Sequence, residues 1–205
     1  MRTVPPVLSN QPWQKGTVIV SGAEPMPSPV DGLLALTGPK PSVAVAFSGG
    51  MDSTVLAHAL VKGRRRFASL RLLHVDHGLQ AASAGWVTHC ERQARRWRVP
   101  IVVLRASIPR RKGDSPEGAA RDARYALFAA TLAPGEVLVT AQHQDDQAET
   151  LLLQLFRGAG VAGLAAMPPI APLGPARIAR PLLGESRAAL ACYARRIRIG
   201  RSSER

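Results

Sequence analysis

The chain has few cysteines, and they are badly spaced for a metal cluster. Cys90 and Cys192 are the two cysteines of the 205 residues, and they form no CxxC pair. Zinc knuckles and iron–sulfur clusters need closely spaced thiolates, so the sequence predicts neither kind of site. Cys90 falls on a helical apolar stripe with Val87, Ala94 and Trp97. This spacing predicts a buried thiol rather than a reactive one, in a reducing compartment.

Long apolar runs are also missing. A membrane-spanning helix needs about 18 or more consecutive apolar residues, and no stretch of this chain approaches that length. The first residues lack the basic patch and apolar core of a signal peptide. We therefore expect a soluble cytoplasmic protein that does not act at a membrane.

Acidic residues are scarce relative to basic ones. The chain carries 14 acidic and 27 basic residues, a formal net charge of +13. Such an excess favours a polyanionic partner, with nucleic acid as the leading candidate, because basic side chains displace counterions from phosphates. The alternative is a compositional bias, since only four of the basic residues are lysines.

The composition changes along the chain and predicts three segments. Residues 1–41 contain eight of the 17 prolines and few charges, which indicates a flexible or loosely docked extension. Residues 42–193 carry the periodic patterns of a folded domain, and we expect this segment to hold the catalytic function. Residues 194–205 form a basic tail that is too short and polar to add a core element.

The middle segment alternates between strand-like and helical patterns. Four β-then-α units follow one another, which predicts an α/β fold with a doubly wound parallel sheet and helices on both faces. The strand-like runs are SVAVAF, SLRLLHV, PIVVLR and EVLVT, and the helical runs that follow them are STVLAHALVKG, AGWVTHCERQARRWR, SPEGAARDARYALFAATL and DDQAETLLLQLFRG.

A glycine-rich loop follows the first strand. Gly49 and Gly50 allow positive φ and close backbone approach, while Ser48 and Ser53 offer hydroxyls to phosphate oxygens. Asp52 would repel phosphate directly, so its presence favours a bridging Mg²⁺ that carboxylate and phosphate oxygens hold together. The GxxxxGK[ST] pattern of the lysine-containing nucleotide loop is absent. The alternative is a simple strand-to-helix turn. The candidate nucleotide-binding residues are Ser48, Gly49, Gly50, Met51, Asp52 and Ser53.

Several motifs together resemble one enzyme family. SGGMDS at 48–53, HVDHGL at 74–79 and TAQHQDDQAET at 140–150 occur in that order, followed by LLLQLFRGAG, GLAAMPP and RPLL. Over residues 42–193 the chain resembles the tRNA(Ile)-lysidine synthetases of the PP-loop ATP pyrophosphatase superfamily. The resemblance implies an adenine nucleotide alpha hydrolase-like fold and cleavage of ATP to AMP and pyrophosphate. It also implies that free L-lysine is joined to C2 of the wobble cytidine of isoleucine tRNA.

The acidic motif after the fourth strand supplies candidates for binding lysine. Asp146 and Glu149 are three residues apart and share one helix face, so they suit an ammonium substrate, and one of them can accept its proton. With Asp52 as the Mg²⁺ ligand, they are the predicted catalytic residues. The alternative is that acids in a first helical turn only complement the helix dipole.

Histidine and arginine side chains extend the predicted site. Asp76 lies between His74 and His77 at the end of the second strand. Two histidines three apart across a strand end do not share a face, which predicts a loop near adenosine rather than a zinc site. His143, which follows the fourth strand, is predicted to orient the nucleotide or the metal. His143 has the alternative of an ordinary buried histidine at a strand end. The resemblance places Arg121 and Arg124 near ATP, with a solvated basic face as the alternative. Arg180 is a weaker candidate for phosphate or tRNA contact.

The resemblance ends near Tyr193. The family continues with a Glu-Asp-x-Ser-Asn segment and tRNA-recognition domains, whereas this chain reads ARRIRIGRSSER, so we expect those domains to be missing. A non-catalytic RNA-binding remnant is therefore one alternative. A tRNA cytidine thiolase would want clustered cysteines, and amidotransferase-like or NAD-synthesising relatives fit SGGMDS but not the DDQAETLLLQLFRG run. No sequence pattern predicts an oligomeric interface.

Overall fold

A computed structural model describes residues 26–76, 83–106, 116–158 and 166–198. Six strands form one sheet in the order β3-β2-β1-β4-β6-β5. The strands are β1 (Ser42–Ala46), β2 (Ser69–Asp76), β3 (Ile101–Arg105), β4 (Val137–Val139), β5 (Ile170–Leu173) and β6 (Ala176–Ala179). The helices are α1 (Pro29–Thr37), α2 (Met51–Lys62), α3 (Ser83–Trp97), α4 (Pro116–Thr131), α5 (Gln144–Phe156) and α6 (Arg187–Arg196). No helix in the described ranges is long and apolar enough to cross a bilayer.

The four predicted β-then-α units and the doubly wound α/β fold are confirmed. Strand β1 pairs in parallel with β2 on one side and with β4 on the other. The chain therefore winds outward from β1 through β2 to β3, and then returns to β4 on the opposite side. In such sheets, ligands bind at the carboxyl ends of the strands where the winding direction changes. The topology places that point between the ends of β1 and β4.

The sheet separates two apolar clusters. Val43, Val45 and Phe47 face one cluster, which also contains buried residues of α1, α2, α3 and α6. Ala44 faces the other cluster with Phe128 of α4. Alternate residues of β1 thus point to opposite faces, as the two-residue repeat of a strand requires. Because both faces are covered, the apolar runs of the central strands have no polar alternation.

The prediction of a loosely docked extension is wrong for residues 29–37. These residues form α1, which Ser28 caps by accepting a hydrogen bond from the Asp31 amide at 3.3 Å. Val30 and Leu33 are 6% and 0% exposed and belong to the larger core cluster. Val30 and Leu33 lie three apart on one helix face, so both can pack against the core. The prediction had relied on the high proline content of the segment and did not allow for this apolar face. Residues 1–25 of the predicted extension lie outside the described ranges.

Two further elements follow the predicted units. Strand β5 pairs with β6 in an antiparallel hairpin, and β6 pairs with β4 in parallel, so the sheet is not entirely parallel. Helix α6 extends to Arg196, and its residues Leu190 and Ala194 are buried in the core. The predicted boundary at residue 193 therefore falls inside a helix. The expectation that no core element lies beyond it is wrong at Ala194.

Substitution of Leu33 tests whether α1 belongs to the folded domain. Leu33→Ala is expected to lower the free energy of unfolding by about 3 kcal/mol, because a fully buried leucine leaves a cavity when it is shortened. Urea denaturation measures this change. Ala35→Ser, at an exposed position of the same helix, is the matched control and should cost about 0.5 kcal/mol or less. Equal stability of wild type and Leu33→Ala would contradict the packing of α1.

Candidate active site at the carboxyl edge of the sheet

A cavity of about 590 Å³ opens where β1, β2 and β4 end. Its size lies within the range of small-molecule sites. Its walls come from the loop after β1, the end of β2, helix α4 and the segment that joins β4 to α5. It therefore occupies the edge that the strand order selects. The predicted residues that line it are Ser48, Gly50, Asp52, Ser53, His74, Asp76, Arg124 and Asp146.

The loop between β1 and α2 is shaped by a glycine that no other residue can replace without strain. Gly49 has a φ of +83°, a conformation that L-residues rarely adopt. A Cβ atom at this position would lie 2.8 Å from Cys90 Sγ and 3.2 Å from His89 of α3. The positive φ and the packing against α3 together turn the chain into the first turn of α2.

The same loop presents hydroxyls and amides to the cavity. The Gly50 amide donates to Ser48 Oγ at 3.3 Å, and the hydroxyls of Ser48 and Ser53 lie 3.0 Å apart. The first hydrogen bond of α2 runs from the Thr54 amide to the Gly50 carbonyl. Of the described residues, none caps this N-terminus through a side chain. The first-turn amides, which include that of Met51, are thus left for an anionic ligand at the positive end of the helix dipole.

Asp52 lines the cavity with a carboxylate that is only partly satisfied. Its Oδ1 is buried and has no hydrogen-bond partner among the described residues. Its Oδ2 lies 3.7 Å from His143 Nε2. Burial raises the pKa of Asp52, as do the nearby carboxylates of Asp145 and Asp146, while His143 and Arg187 oppose the rise. A bound cation would relieve this electrostatic cost.

His143 connects the first turn of α5 to Asp52. Its Nδ1 accepts a hydrogen bond from the Asp145 amide at 3.3 Å, so the ring proton resides on Nε2. The His143 amide donates to Asp146 Oδ2 at 2.8 Å, which completes a capping box. His143 Nε2 lies 3.6 Å from Asp146 Oδ2 and a similar distance from Asp52. These separations exceed hydrogen-bond length, so the imidazole lies beside the two carboxylates without a direct hydrogen bond to either.

The donor set fits a nucleotide-bound magnesium ion. No group of three or more histidine, cysteine or acidic side chains arranged for a metal occurs in the described ranges. Mg²⁺ does not require such a cage, because it keeps several waters and is held by one or two carboxylates and substrate phosphates. Asp52 lines the cavity, and its carboxylate makes no hydrogen bond at Oδ1, so it suits that arrangement. Magnesium itself stays a prediction.

His74 is a buried residue of the cavity wall. Its ring is 5% exposed, and its Nδ1 donates to the Phe47 carbonyl at 2.8 Å. Cys90 Sγ lies 3.4 Å from the same nitrogen. The ring thereby ties the end of β2 to the end of β1, immediately before the glycine loop. Asp76 is partly buried on the same cavity wall, and His77 lies outside the described residues.

Six predicted residues do not line the cavity. Gly49, Met51 and His143 are chain neighbours of lining residues, and the other three are Glu149, Arg121 and Arg180. Glu149 is exposed and lies one turn further along α5, in a neighbouring groove with Leu152 and Phe156. Arg121 places its guanidinium 5.7 Å from the ring centre of Tyr125. Arg180 is only 8% exposed, and its partners are protein atoms. The structure thus brings Asp52, Asp146 and Arg124 together and leaves these three outside.

Sequence reasoning missed cavity residues that carry no charge. Thr140 and Gln142 leave the end of β4, and Tyr125 reaches the cavity from α4 beside Arg124. Gln142 was visible as part of the 140–150 motif, but a glutamine carries no chemical signal by itself. Tyr125 lies one residue after Arg124, on a helix whose periodicity alone does not indicate which side faces a ligand.

Comparison with known proteins assigns the family. The sequence pattern described as a PP-loop domain matches residues 30–201, which is most of the chain. This protein belongs to the PP-loop family. The match begins inside α1, in agreement with the burial of that helix in the PP-loop core.

The curated relatives that the chain matches are tRNA(Ile)-lysidine synthases. The PP-loop chain is 56% identical over 157 residues to a tRNA(Ile)-lysidine synthase of Pseudomonas aeruginosa and 53% identical over 154 residues to one of Escherichia coli O157:H7. These matches cover 76% and 74% of this chain but only 35% and 36% of the relatives, so the chain spans little more than a third of their length.

Two solved structures share the PP-loop fold at low identity. The U34-tRNA thiolase NcsA of Methanococcus maripaludis aligns with a TM-score of 0.64 at 14% identity, over 83% of this chain and 63% of that chain. An NH3-dependent NAD synthetase of Campylobacter jejuni aligns with a TM-score of 0.52 at 12% identity, over 83% and 69%. At this identity the likeness concerns the fold alone.

Substitution of Gly49 tests the construction of the PP-loop. Gly49→Ala is expected to lower the melting temperature by about 5 °C and to weaken ATP binding, because it combines backbone strain with a clash against Cys90. Gly50→Ala is the matched control for the melting temperature alone, since its φ is −70° and its nearest neighbour would be Ser48 Oγ at 3.5 Å. Thermal melts and ATP titration provide the measurements. A second change, Cys90→Ala, should restore part of the stability of Gly49→Ala, and no recovery would contradict the proposed clash.

Proposed function

We propose that this domain uses ATP and Mg²⁺ to form lysidine in isoleucine tRNA in the cytoplasm. The wobble cytidine is adenylated at O2 with release of pyrophosphate, and the ε-amine of L-lysine then attacks C2 and displaces AMP. The observation that carries the proposal is the position of Asp52, a residue that lines the cavity from the first turn of α2, whose N-terminus has no side-chain cap. The identity to lysidine synthases supports the choice of substrates.

The proposed role of the PP-loop is to hold pyrophosphate while the α-phosphorus is attacked. Ser48 and Ser53 hydroxyls and the first-turn amides of α2 suit phosphate oxygens. Magnesium, held by Asp52, would neutralise charge on the departing pyrophosphate. The remaining contribution of the protein is positioning, since in-line attack needs the two nucleotides held together. Arg124 on the opposite wall supplies positive charge to the same cavity.

The proposed lysine site lies at the start of α5. Asp146 faces the cavity and Glu149 follows one turn later, so the two carboxylates are placed to bind an ammonium group between the cavity and the neighbouring groove. Lysine attacks only as a neutral amine, and one of the two carboxylates accepts the proton that it loses. Asp146 already accepts the His143 amide within the capping box, which leaves Glu149 with the freer carboxylate.

Sulfur transfer is a poorer fit to the described residues. Cys90 is fully buried, and burial raises the pKa of its thiol to about 12, with Glu91 adding to the rise. A thiol that stays protonated is a weak nucleophile. Cys192 is exposed on α6, away from the cavity-lining residues. These positions favour ligation of an amine over thiolation.

The net charge of +13 supports a nucleic-acid substrate. The relatives are nearly three times as long as the matched region, and we propose that residues 30–201, the extent of the PP-loop match, correspond to their catalytic domain. Selection of one tRNA among many would then depend on contacts outside this domain.

An activity assay tests the proposed function. Purified chain given ATP, Mg²⁺, lysine and isoleucine tRNA should release pyrophosphate and incorporate lysine, whereas tRNA binding without turnover would favour a non-catalytic RNA-binding domain.

Asp52→Asn separates catalysis from stability. The substitution keeps the shape of the side chain but removes the metal-binding charge, so AMP and pyrophosphate formation should fall by about 100-fold or more. The free energy of unfolding should stay equal or rise. Because the pKa of Asp52 is raised in the folded protein, the fold loses stability as pH rises through that pKa and the carboxyl ionises, and asparagine carries no such charge. Pyrophosphate release and thermal melts at neutral pH measure the two effects. Undiminished turnover would remove the metal role of Asp52.

Glu149→Gln tests the lysine site without disturbing the capping box. The KM for lysine should rise by about tenfold through loss of the charge-assisted hydrogen bond, while the affinity for ATP stays unchanged. Glu91→Gln, at a partly exposed acid on α3 that pairs with Arg95, controls for the general change in charge. Lysine incorporation at varied lysine concentration gives the KM, and ATP titration gives the Kd. Equal losses in both would contradict a specific contact with lysine.

A further inference from the structure

Gln142 is held between the cavity and a buried arginine. Its Oε1 accepts hydrogen bonds from Arg180 Nε at 2.6 Å and from Thr140 Oγ1 at 3.0 Å. The residue lines the same cavity as Asp52 and Asp146. Within the described part of the chain, no group accepts a hydrogen bond from Gln142 Nε2, and that atom is not buried.

The chemistry of Arg180 fixes which way the amide of Gln142 points. A guanidinium has five donors and no acceptor, so the atom 2.6 Å from Arg180 Nε must be the amide oxygen. The amide therefore cannot rotate by 180° without placing an N–H group against another N–H group. The NH2 group is the part of the side chain that remains free to face the cavity, and it offers only donors.

Arg180 is itself held rigidly. It is 8% exposed, and its guanidinium also donates to the Pro168 carbonyl at 2.8 Å. Its own amide donates to the Pro169 carbonyl, and the Thr140 amide donates to the Ala179 carbonyl. The β5–β6 hairpin and the end of β4 are thus joined around the Gln142 side chain. Polar groups held by several hydrogen bonds keep their orientation better than an exposed glutamine does.

We propose that Gln142 is a substrate-binding residue that donates its amide hydrogens to an acceptor atom of the nucleotide in this cavity, and that Arg180 is the positioning residue that fixes its orientation. This inference deepens the proposed function and rests on it for the identity of the nucleotides. The acceptor belongs either to ATP or to the target base of the tRNA. The proposal revises the earlier interpretation of Arg180. This residue acts through Gln142 rather than by touching phosphate or tRNA.

Gln142→Glu provides the first test. The carboxylate can accept from Arg180 and Thr140 as the amide oxygen does, so the support is retained, but the cavity now meets an anionic acceptor. Affinity for the nucleotide that Gln142 contacts should fall by about tenfold or more. Gln144→Glu is the matched control, because it adds the same charge at an exposed position two residues away, and it should change affinity by less than about twofold.

Two binding measurements identify the nucleotide. One titrates Mg·ATP into the protein by calorimetry, and the other measures binding of an isoleucine tRNA transcript by fluorescence anisotropy. A loss confined to ATP assigns the acceptor to ATP, and a loss confined to tRNA assigns it to the target base. Unchanged affinity in both, or an equal loss with Gln144→Glu, overturns the proposal. Neither measurement requires turnover, so absence of lysine incorporation by the wild type would count against the proposed function alone.

A double-mutant cycle tests the positioning role of Arg180. Arg180→Lys keeps the charge but loses the fixed Nε donor, and it should weaken the affected affinity by about threefold or more in the wild-type background. In the Gln142→Ala background the same substitution should have no further effect on that affinity. A purely structural arginine would weaken binding equally in both backgrounds, and that outcome would overturn the assignment. Thermal melts of each variant establish that the proteins remain folded.

Discussion

The site depends on two helices that begin side by side. Because β1 and β4 are neighbours in the sheet, the N-terminus of α2 and that of α5 meet at the same edge. Each contributes a partial positive charge and unsatisfied amides. The two N-termini differ in their capping. His143 and Asp146 cap α5, whereas α2 begins at a glycine without a side-chain cap. One end is closed by protein, and the other is open to an anionic ligand.

The uncapped N-terminus of α2 carries a partial positive charge beside acidic side chains. A ligand with both positive and negative charge can interact favourably with each. Asp52 sits in the first turn of α2, where the helix dipole favours a carboxylate, but it is partly desolvated and shares the space with Asp146. An anion alone would be repelled by the acids, and a cation alone would oppose the helix ends. A magnesium–polyphosphate complex satisfies both at once, which gives a physical reason for acids and uncapped amides to occur together.

Buried groups complete the geometry. The Gly49 contact with Cys90 sets the path of the loop, His74 ties two strand ends together, and Arg180 orients Gln142. Cysteine, histidine and arginine are all chemically capable residues, yet here each is buried and acts on a neighbour. Residue type alone therefore overstates how many side chains touch a substrate.

The periodic patterns of residues 42–156 were sufficient to predict the four β-then-α units, because two-residue and helical repeats are local properties of a chain. The motif at 48–53 was sufficient to predict a glycine turn into a helix N-terminus, since both are also local properties. Phosphate binding by this loop stays a prediction. Helix α1 and Ala194 were misjudged, because burial of a short apolar face depends on a partner that is distant in sequence.

The sequence by itself determined which chemical groups are present and which local turns they can adopt. Only the tertiary structure decided which of them share a cavity: it placed Asp146 inside and Glu149 outside, one turn apart on one helix. It also decided that Arg180 meets Gln142, 38 residues away along the chain. The reason is that strand order and register, rather than spacing along the chain, set the distance between side chains at the edge of a sheet.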